Sequence, residues 1–179
     1  MRYLALLRGI NVGGKNKVSM ARLKEAFEDA GHGEVRTYIN SGNVIFTAPR
    51  TPAAVLGEDL ERQITKTFDL DVRVLVLPGS KVSKIASDLP QRWIDGPEMR
   101  CYVMFLWPEH ASATIVDRFE VDPAHEEIRY SHGALLWRVD RSHLTRSAMA
   151  KMVGTDLYKN MTIRNSNTLR KLQGMLSEA

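Results

Sequence analysis

The chain has a single cysteine and no long apolar segment, and both features exclude a class of protein. Cys101 is the only cysteine in the 179 residues, which excludes an internal disulfide and any zinc site built on several thiolates. No apolar run approaches the roughly 20 residues of a membrane-spanning helix, so we expect no membrane partner. The five apolar residues at 3–7 are too few for the core of a signal peptide, which predicts a cytoplasmic protein.

Acidic residues are missing from the start of the chain, and the charge is unevenly distributed. The net charge is +4, yet residues 1–24 contain six basic residues and no acidic one. Residues 138–171 contain eight basic and two acidic residues, whereas residues 25–137 contain 11 basic and 18 acidic ones. If the two basic ends meet in space, they form a cleft that attracts anions. The alternative is two solvated basic faces without a partner.

The residue pattern of the first half predicts the order β-α-β-β-α-β. The predicted elements are a strand at 2–8, a helix from the N-cap Ser19 to Gly31, strands at 35–40 and 43–47 joined by the two-residue turn Ser41-Gly42, a helix at 53–68 and a strand at 72–77. This order is that of the ferredoxin-like unit. A short helix at 81–89 follows.

The second half repeats this order approximately. Its predicted elements are a strand at 101–107, a helix at 111–119, a hairpin of 126–130 and 134–139 turned at His132-Gly133, a helix at 147–153, a strand at 160–164 and a helix at 167–176. We therefore predict an α+β fold of two ferredoxin-like (βαββαβ) halves in tandem, at 1–89 and 98–179. The linker is expected at about 90–97, packed down through Trp93 and Ile94.

A loop rich in glycine, asparagine and basic residues connects the first strand to the first helix. Residues 8–17 read Arg-Gly-Ile-Asn-Val-Gly-Gly-Lys-Asn-Lys, a composition suited to a backbone nest for an anion. They also match the P-loop pattern, but Asn16 replaces the hydroxyl residue that binds Mg²⁺, and the helix begins only after Ser19. We therefore expect no nucleotide hydrolysis. The alternative is that the glycines merely permit a tight loop.

The segment Arg164-Asn165-Ser166-Asn167-Thr168 is a second candidate for anion binding. A guanidinium beside the free amides of a helix N-terminus suits a phosphate or a carboxylate. Capping of the last helix by Asn165 or Ser166 explains most of the motif without a ligand. The residues predicted to bind an anion are Arg8, Gly9, Asn11, Gly13, Gly14, Lys15, Lys17, Arg164 and Asn165.

No residue pattern indicates a catalytic group, a metal or a cofactor. Cys101 opens an apolar strand and is interpreted as a core residue. The five histidines lie in separate predicted loops without metal-ligand spacing; they are His32, His110, His125, His132 and His143. We therefore expect no metal and no cofactor, and the catalytic residues are unknown. Nucleic acid should bind weakly if at all, because Tyr38 and Phe46 alone form a poor stacking platform.

Four motifs, taken in order, resemble those of the domain-of-unknown-function family 1697, which comprises small bacterial proteins. They are Leu7–Gly14, Thr37–Phe46, Leu144–Ser147 and Thr162–Thr168. The resemblance implies a two-part α+β fold with a ferredoxin-like N-terminal half, and it implies no reaction, cofactor or partner. In one departure, Ser166 stands where the family usually has a tryptophan.

Three classes of function remain open after the sequence analysis. The first is the binding of an anionic ligand, either a small phosphorylated molecule or a nucleic-acid backbone, in a basic cleft between the two halves. The second is an enzyme of unknown reaction that uses the same cleft. The third is a protein-interaction module without a ligand. The oligomeric state does not follow from the sequence.

Overall fold

The computed structural model describes residues 1–178 and shows an α+β protein with two four-stranded antiparallel sheets. The chain divides into two compact units. The first comprises Met1–Val82 and the C-terminal segment that begins at Leu172, and the second comprises Ser83–Lys171. Within residues 1–178, no helix has both the length and the apolar composition needed to span a membrane.

The first unit contains a sheet of order β2-β3-β1-β4. Its elements are β1 (Arg2–Leu7), α1 (Met20–Asp29), β2 (Gly33–Tyr38), β3 (Asn43–Thr47), α2 (Ala53–Phe68) and β4 (Val74–Pro78), after which α3 (Gly79–Asp88) follows. Leu56, Leu60 and Ile64 recur every four residues and form the buried face of α2. They belong to the same apolar core as Tyr3 and Phe46, so one face of the sheet lies under the helices.

The second unit contains a sheet of order β6-β7-β5-β8. Its strands are β5 (Met99–Leu106), β6 (Glu126–Ser131), β7 (Ala134–Asp140) and β8 (Met161–Asn165). Between them lie 3₁₀ helices at Pro108–His110, Ala113–Arg118 and Arg141–Arg146 and two short helices, α4 (Ala148–Met152) and α5 (Asp156–Lys159). The last helix is α6 (Ser166–Ser177).

Two local predictions are wrong. The α-helix predicted at 111–119 is a 3₁₀ helix at Ala113–Arg118, because Pro108 and Pro123 restrict the segment and Ser112 caps it late. The first hairpin does not turn at Ser41-Gly42 alone: Tyr38 pairs with Asn43, so the connection has four residues, 39–42. By contrast, Ser131 pairs with Ala134, and the two-residue turn at His132-Gly133 is confirmed.

The segment 90–97 is packed down at Trp93 but not at Ile94, which was also expected to be packed and is 58% exposed. Trp93 is buried, and its carbonyl accepts a hydrogen bond from Arg170 Nη1 at 2.9 Å. Arg170 Nη2 also donates to the carbonyl of Pro90 at 2.8 Å. One guanidinium on α6 thus fastens a segment that has no helix or strand of its own.

Candidate functional site

The loop after β1 is an exposed miniature hairpin. Val12 and Lys15 form an isolated antiparallel bridge, and the Lys15 amide donates to the Val12 carbonyl at 3.0 Å. Gly13 and Gly14 form the turn with φ values of 58° and 77°. Two successive positive φ values are those of a type I′ turn, which explains the glycine pair. The helix begins at Met20, so Gly14-Lys15 does not form a helix N-terminus as in a P-loop.

Asn11 fastens the base of this loop. Its Oδ1 accepts from the Val18 amide at 2.8 Å, while its Nδ2 donates to the Val18 carbonyl at 3.0 Å and to the Asn40 carbonyl at 2.9 Å. Asn16 Nδ2 donates to the Gly9 carbonyl at 3.0 Å. Both asparagines adopt positive φ, which asparagine tolerates better than most residues. They therefore shape the loop through its own backbone.

The neighbouring loop, residues 39–42, is strained and closely packed. Ile39 has φ 48° although β-branched residues avoid this region, and its side chain is 50% exposed. Gly42 has φ 74°, and a Cβ there would lie 2.7 Å from Leu7 Cβ and 2.9 Å from Ile10 Cδ1. Only glycine fits this position. Strain of this kind is typical of sites where the surrounding fold holds a loop in a set shape.

Basic residues gather at this end of the first sheet. The Arg8 amide donates to the Arg73 carbonyl at 3.0 Å, which places both arginines where β1 ends and β4 begins. Lys15 and Lys17 are exposed, and neither forms an ion pair with any residue in the described range 1–178. We call Arg8, Lys15, Lys17 and Arg73 the basic loop end. Because like charges repel, an anion bound there lowers their electrostatic free energy.

The other predicted anion ligands, Arg164 and Asn165, belong to the second unit. Arg164 is only 9% exposed, and its Nη1 donates to Thr162 Oγ1 at 2.9 Å and to the Ile163 carbonyl at 2.8 Å. Burial lowers the pKa of this guanidinium to about 10. Asn165 Oδ1 accepts from the Thr168 amide at 2.7 Å and so caps α6. A meeting of these residues with the basic loop end stays a prediction.

Ser166, which replaces the usual tryptophan of the resembling family, is fully buried. Its Oγ accepts from the Asp95 amide at 3.2 Å.

Cys101 is buried as well, which confirms its interpretation as a core residue. Burial raises the pKa of the Cys101 thiol to about 11, with a smaller contribution from the nearby Asp95 carboxylate. The thiolate is therefore suppressed at neutral pH.

The structure also forms a polar cluster that the sequence analysis missed. One ligand atom from each of Asp122, His125 and His143 lies within 4.8 Å of the other two. The rings of the two histidines stack, with centroids 4.7 Å apart. The sequence placed the histidines in separate loops, and the fold brings two of them, His125 and His143, together. The available signal was the β6–β7 hairpin, because residues before its first strand approach residues after its second.

The surface depressions within the units include two with both basic and acidic lining residues, and the basic loop end lines neither. One of about 350 Å³ lies in the first unit, and its lining includes Arg2, Arg36 and Glu178. The other, of about 410 Å³, lies in the second unit between Arg118, Lys151 and Asp156. Of the predicted anion-binding residues, Gly9, Gly13, Gly14, Lys15 and Lys17 are exposed, whereas Arg164 is buried.

These features define an α+β protein with two antiparallel sheets and a glycine-rich basic loop at one sheet end. The family described as "Protein of unknown function (DUF1697)" matches residues 1–137, and the chain belongs to that family. The chain is similar to the conserved bacterial protein SP0830 from Streptococcus pneumoniae, at 29% identity and a TM-score of 0.83 over 98% of each chain. Among curated proteins, none matches the sequence.

Proposed function

We propose that the protein binds a small phosphorylated anion at the basic loop end. The observation that carries this proposal is the pair of exposed lysines, Lys15 and Lys17, beside a Gly13-Gly14 turn and near the two arginines Arg8 and Arg73. A tight turn requires the glycines but does not require two exposed lysines directly after it. Phosphate combines readily with such a set of cationic side chains and exposed amides.

The hydrogen bonds and packing at the base of the loop support this function. Asn11 ties the loop to residues on both sides, and Gly42 allows close packing against Leu7 and Ile10. A preorganised loop loses little conformational freedom when it binds a ligand, so more of the interaction free energy appears as affinity.

The proposed residues in the first unit are Arg8, Gly9, Asn11, Gly13, Gly14, Lys15 and Lys17, with Arg73 added. Asn11 acts by shaping the loop, whereas Lys15 and Lys17 supply charge. Arg164 and Asn165 remain part of the proposal as ligands from the second unit. We also infer that the two halves are tandem ferredoxin-like units, and the identical strand order of the two sheets supports this.

A second function is favoured by one observation. Val12 is 66% exposed at the tip of the loop and Ile39 is 50% exposed in the neighbouring loop. The Asn11–Asn40 hydrogen bond joins these two loops. Exposed apolar side chains on held loops suit contact with another protein, so a protein-interaction module is the alternative.

The test is titration of isotope-labelled protein with inorganic phosphate and pyrophosphate, at ionic strength matched with chloride. Amide resonances of Gly13 and Gly14 should shift and saturate. The double variant Lys15→Ala/Lys17→Ala should weaken binding at least about fivefold, because two of the nearest charges are lost. A matched control, Lys66→Ala/Lys84→Ala, removes two exposed lysines elsewhere and should leave the affinity unchanged.

The comparison of the two double variants decides between the two functions. If the amide shifts on phosphate addition are equal in wild type and both double variants, they reflect a general salt effect and not a binding site. The protein-interaction module would then be the better-supported function. In that case, Val12→Ser should weaken association with a partner protein without altering phosphate shifts.

A further inference from the structure

The open end of the β6–β7 hairpin holds a cluster that the anion-binding proposal does not use. The Asp140 amide donates to the His125 carbonyl at 2.9 Å, which extends the strand pairing by one step beyond β6. The 3₁₀ helix at Arg141–Arg146 follows at once and carries His143 back over His125. Asp122 lies in the turn before β6, where its Oδ1 accepts from the Ala124 amide at 3.1 Å.

Each of the two histidines has one ring nitrogen directed at a carboxylate. His125 Nδ1 lies 3.0 Å from Asp140 Oδ2, and His143 Nε2 lies 3.5 Å from Glu126 Oε1. Histidines that bind metals almost always donate their other N–H to a carboxylate or a carbonyl, which fixes the tautomer. This arrangement leaves His125 Nε2 and His143 Nδ1 as the nitrogens with a lone pair to offer.

His143 Nδ1 is an unsatisfied buried atom. It has no hydrogen-bond partner within residues 1–178, and the side chain is only 11% exposed. A buried polar atom without a partner costs about 1–3 kcal/mol, so native structures rarely keep one without a reason. A bound ion would supply the missing partner.

We propose that Asp122, His125 and His143 form a binding site for a divalent first-row transition-metal ion. Two imidazole nitrogens and one carboxylate oxygen are the donor set that Zn²⁺ and its neighbours accept. Three protein ligands leave at least one coordination position for water or for an outside ligand. Asp140 and Glu126 are the positioning residues, because they orient the rings without touching the ion.

Binding requires the His125 ring to turn out of the stack, with the Asp140 carboxylate following Nδ1 so that Nε2 remains the metal-binding nitrogen. The two rings are now nearly parallel, at 15°, whereas an ion lies in the plane of each imidazole that binds it. The His125 side chain is 42% exposed and turns more easily than the buried His143. The ligand atoms, now within 4.8 Å, would close to about 3.4 Å around an ion with metal–ligand bonds of about 2.1 Å.

The test begins with protein freed of metal by a chelator and titrated calorimetrically with Zn²⁺, and with Co²⁺ followed by visible absorption. Wild type should bind one equivalent, with a tetrahedral or five-coordinate Co²⁺ spectrum. His125→Ala and Asp122→Ala should each weaken Zn²⁺ binding at least about tenfold. Both replace partly exposed side chains, so circular dichroism should show an intact fold.

Two further variants separate a built site from surface binding. Asp140→Asn keeps the ligands but alters the orientation of His125, and should weaken Zn²⁺ binding about 10–100-fold. His132→Ala is the matched control, since His132 Nε2 lies 3.7 Å from Asp88 Oδ2 and is likewise an exposed histidine beside a carboxylate. Its Zn²⁺ affinity should equal that of wild type. Absence of stoichiometric binding, or equal losses in His125→Ala and His132→Ala, would overturn the proposal.

Discussion

The two sheets have the same strand order, but the segments that connect their strands differ. In the first unit the crossings are α1 of 10 residues and α2 of 16 residues. In the second unit the corresponding segments are 3₁₀ helices and the helices α4 and α5 of five and four residues. Strand pairing therefore preserves the order of the sheet without long helices, provided that short elements still bury an apolar face.

Because the connecting segments differ, the polar clusters of the two units also lie in different kinds of segment. In the first unit the long helices cover one face of the sheet, and the basic loop end lies where β1 ends and β4 begins. In the second unit the short segments are themselves irregular, and one of them places His143 over His125. Irregular backbone is where functional side chains concentrate, because its conformation is set by few repeating constraints.

The largest expected effect comes from replacing one buried leucine by alanine in a connecting helix of each unit. Leu60 lies fully buried in α2, and Leu157 lies buried in the four-residue α5. Leu60→Ala should lower the free energy of unfolding by about 2–5 kcal/mol, whereas Leu157→Ala should fall at or below the lower end of that range, because a short segment relaxes into the cavity. Urea unfolding monitored by circular dichroism measures both.

Tryptophan fluorescence provides the internal control for that measurement. Trp93, Trp107 and Trp137 all lie within Ser83–Lys171, so fluorescence follows the second unit alone. A larger loss of unfolding free energy for Leu157→Ala than for Leu60→Ala would contradict the proposed difference between the long helix α2 and the short helix α5.

Removing a helix cap should lower the free energy of unfolding by less than the leucine substitutions do. The loss should again differ between the two units. Asn165 Oδ1 caps α6 at 2.7 Å, whereas Ser19 Oγ accepts from the Arg22 amide at the long distance of 3.5 Å. Asn165→Ala should cost about 1–2 kcal/mol and Ser19→Ala about 0.5 kcal/mol, because a weaker hydrogen bond stabilises the helix less. Thermal unfolding under identical buffer conditions checks the order, and a reversed order would refute it.

His32 should make the stability of the first unit sensitive to acid. Its ring lies 4.6 Å from that of Phe46, and burial lowers its pKa, with Asp59 partly opposing the shift. Because the folded state disfavours the charged ring, the contribution of His32 is present above pH 6.5 and is lost as the pH falls below that value. His32→Gln should therefore flatten the decrease in urea midpoint between pH 7 and 5. His110→Gln, a change in the second unit, should preserve it.

At neutral pH Cys101 should give the smallest effect, because its contribution to the free energy of unfolding changes only at alkaline pH. Its pKa rises from 9.0 to about 11, so its stabilising contribution is complete below pH 9 and is lost as the pH rises towards 11. At pH 8 the native protein should react with a thiol reagent far more slowly than the urea-unfolded protein. Rapid native labelling would show that the core of the second unit opens easily.

Much of the local structure could be predicted from the sequence. The periodicity of Leu56, Leu60 and Ile64 predicted α2 with its observed bounds, and His132-Gly133 predicted a two-residue turn. These patterns reflect interactions between residues close in sequence, so helices and turns can be predicted from them without knowledge of the fold. The predictions failed where local preference was weak, as at 111–119, where prolines and a late cap favour a 3₁₀ helix.

By itself the sequence determined the α+β class, the basic loop after the first strand and the role of Cys101 as a core residue. Only the tertiary structure decided that Asn11 fastens its own loop, that Arg164 is buried and that His125 meets His143. The physical reason is that composition and periodicity are properties of a segment, whereas burial and proximity depend on strand register. A hairpin brings together residues that no local pattern relates.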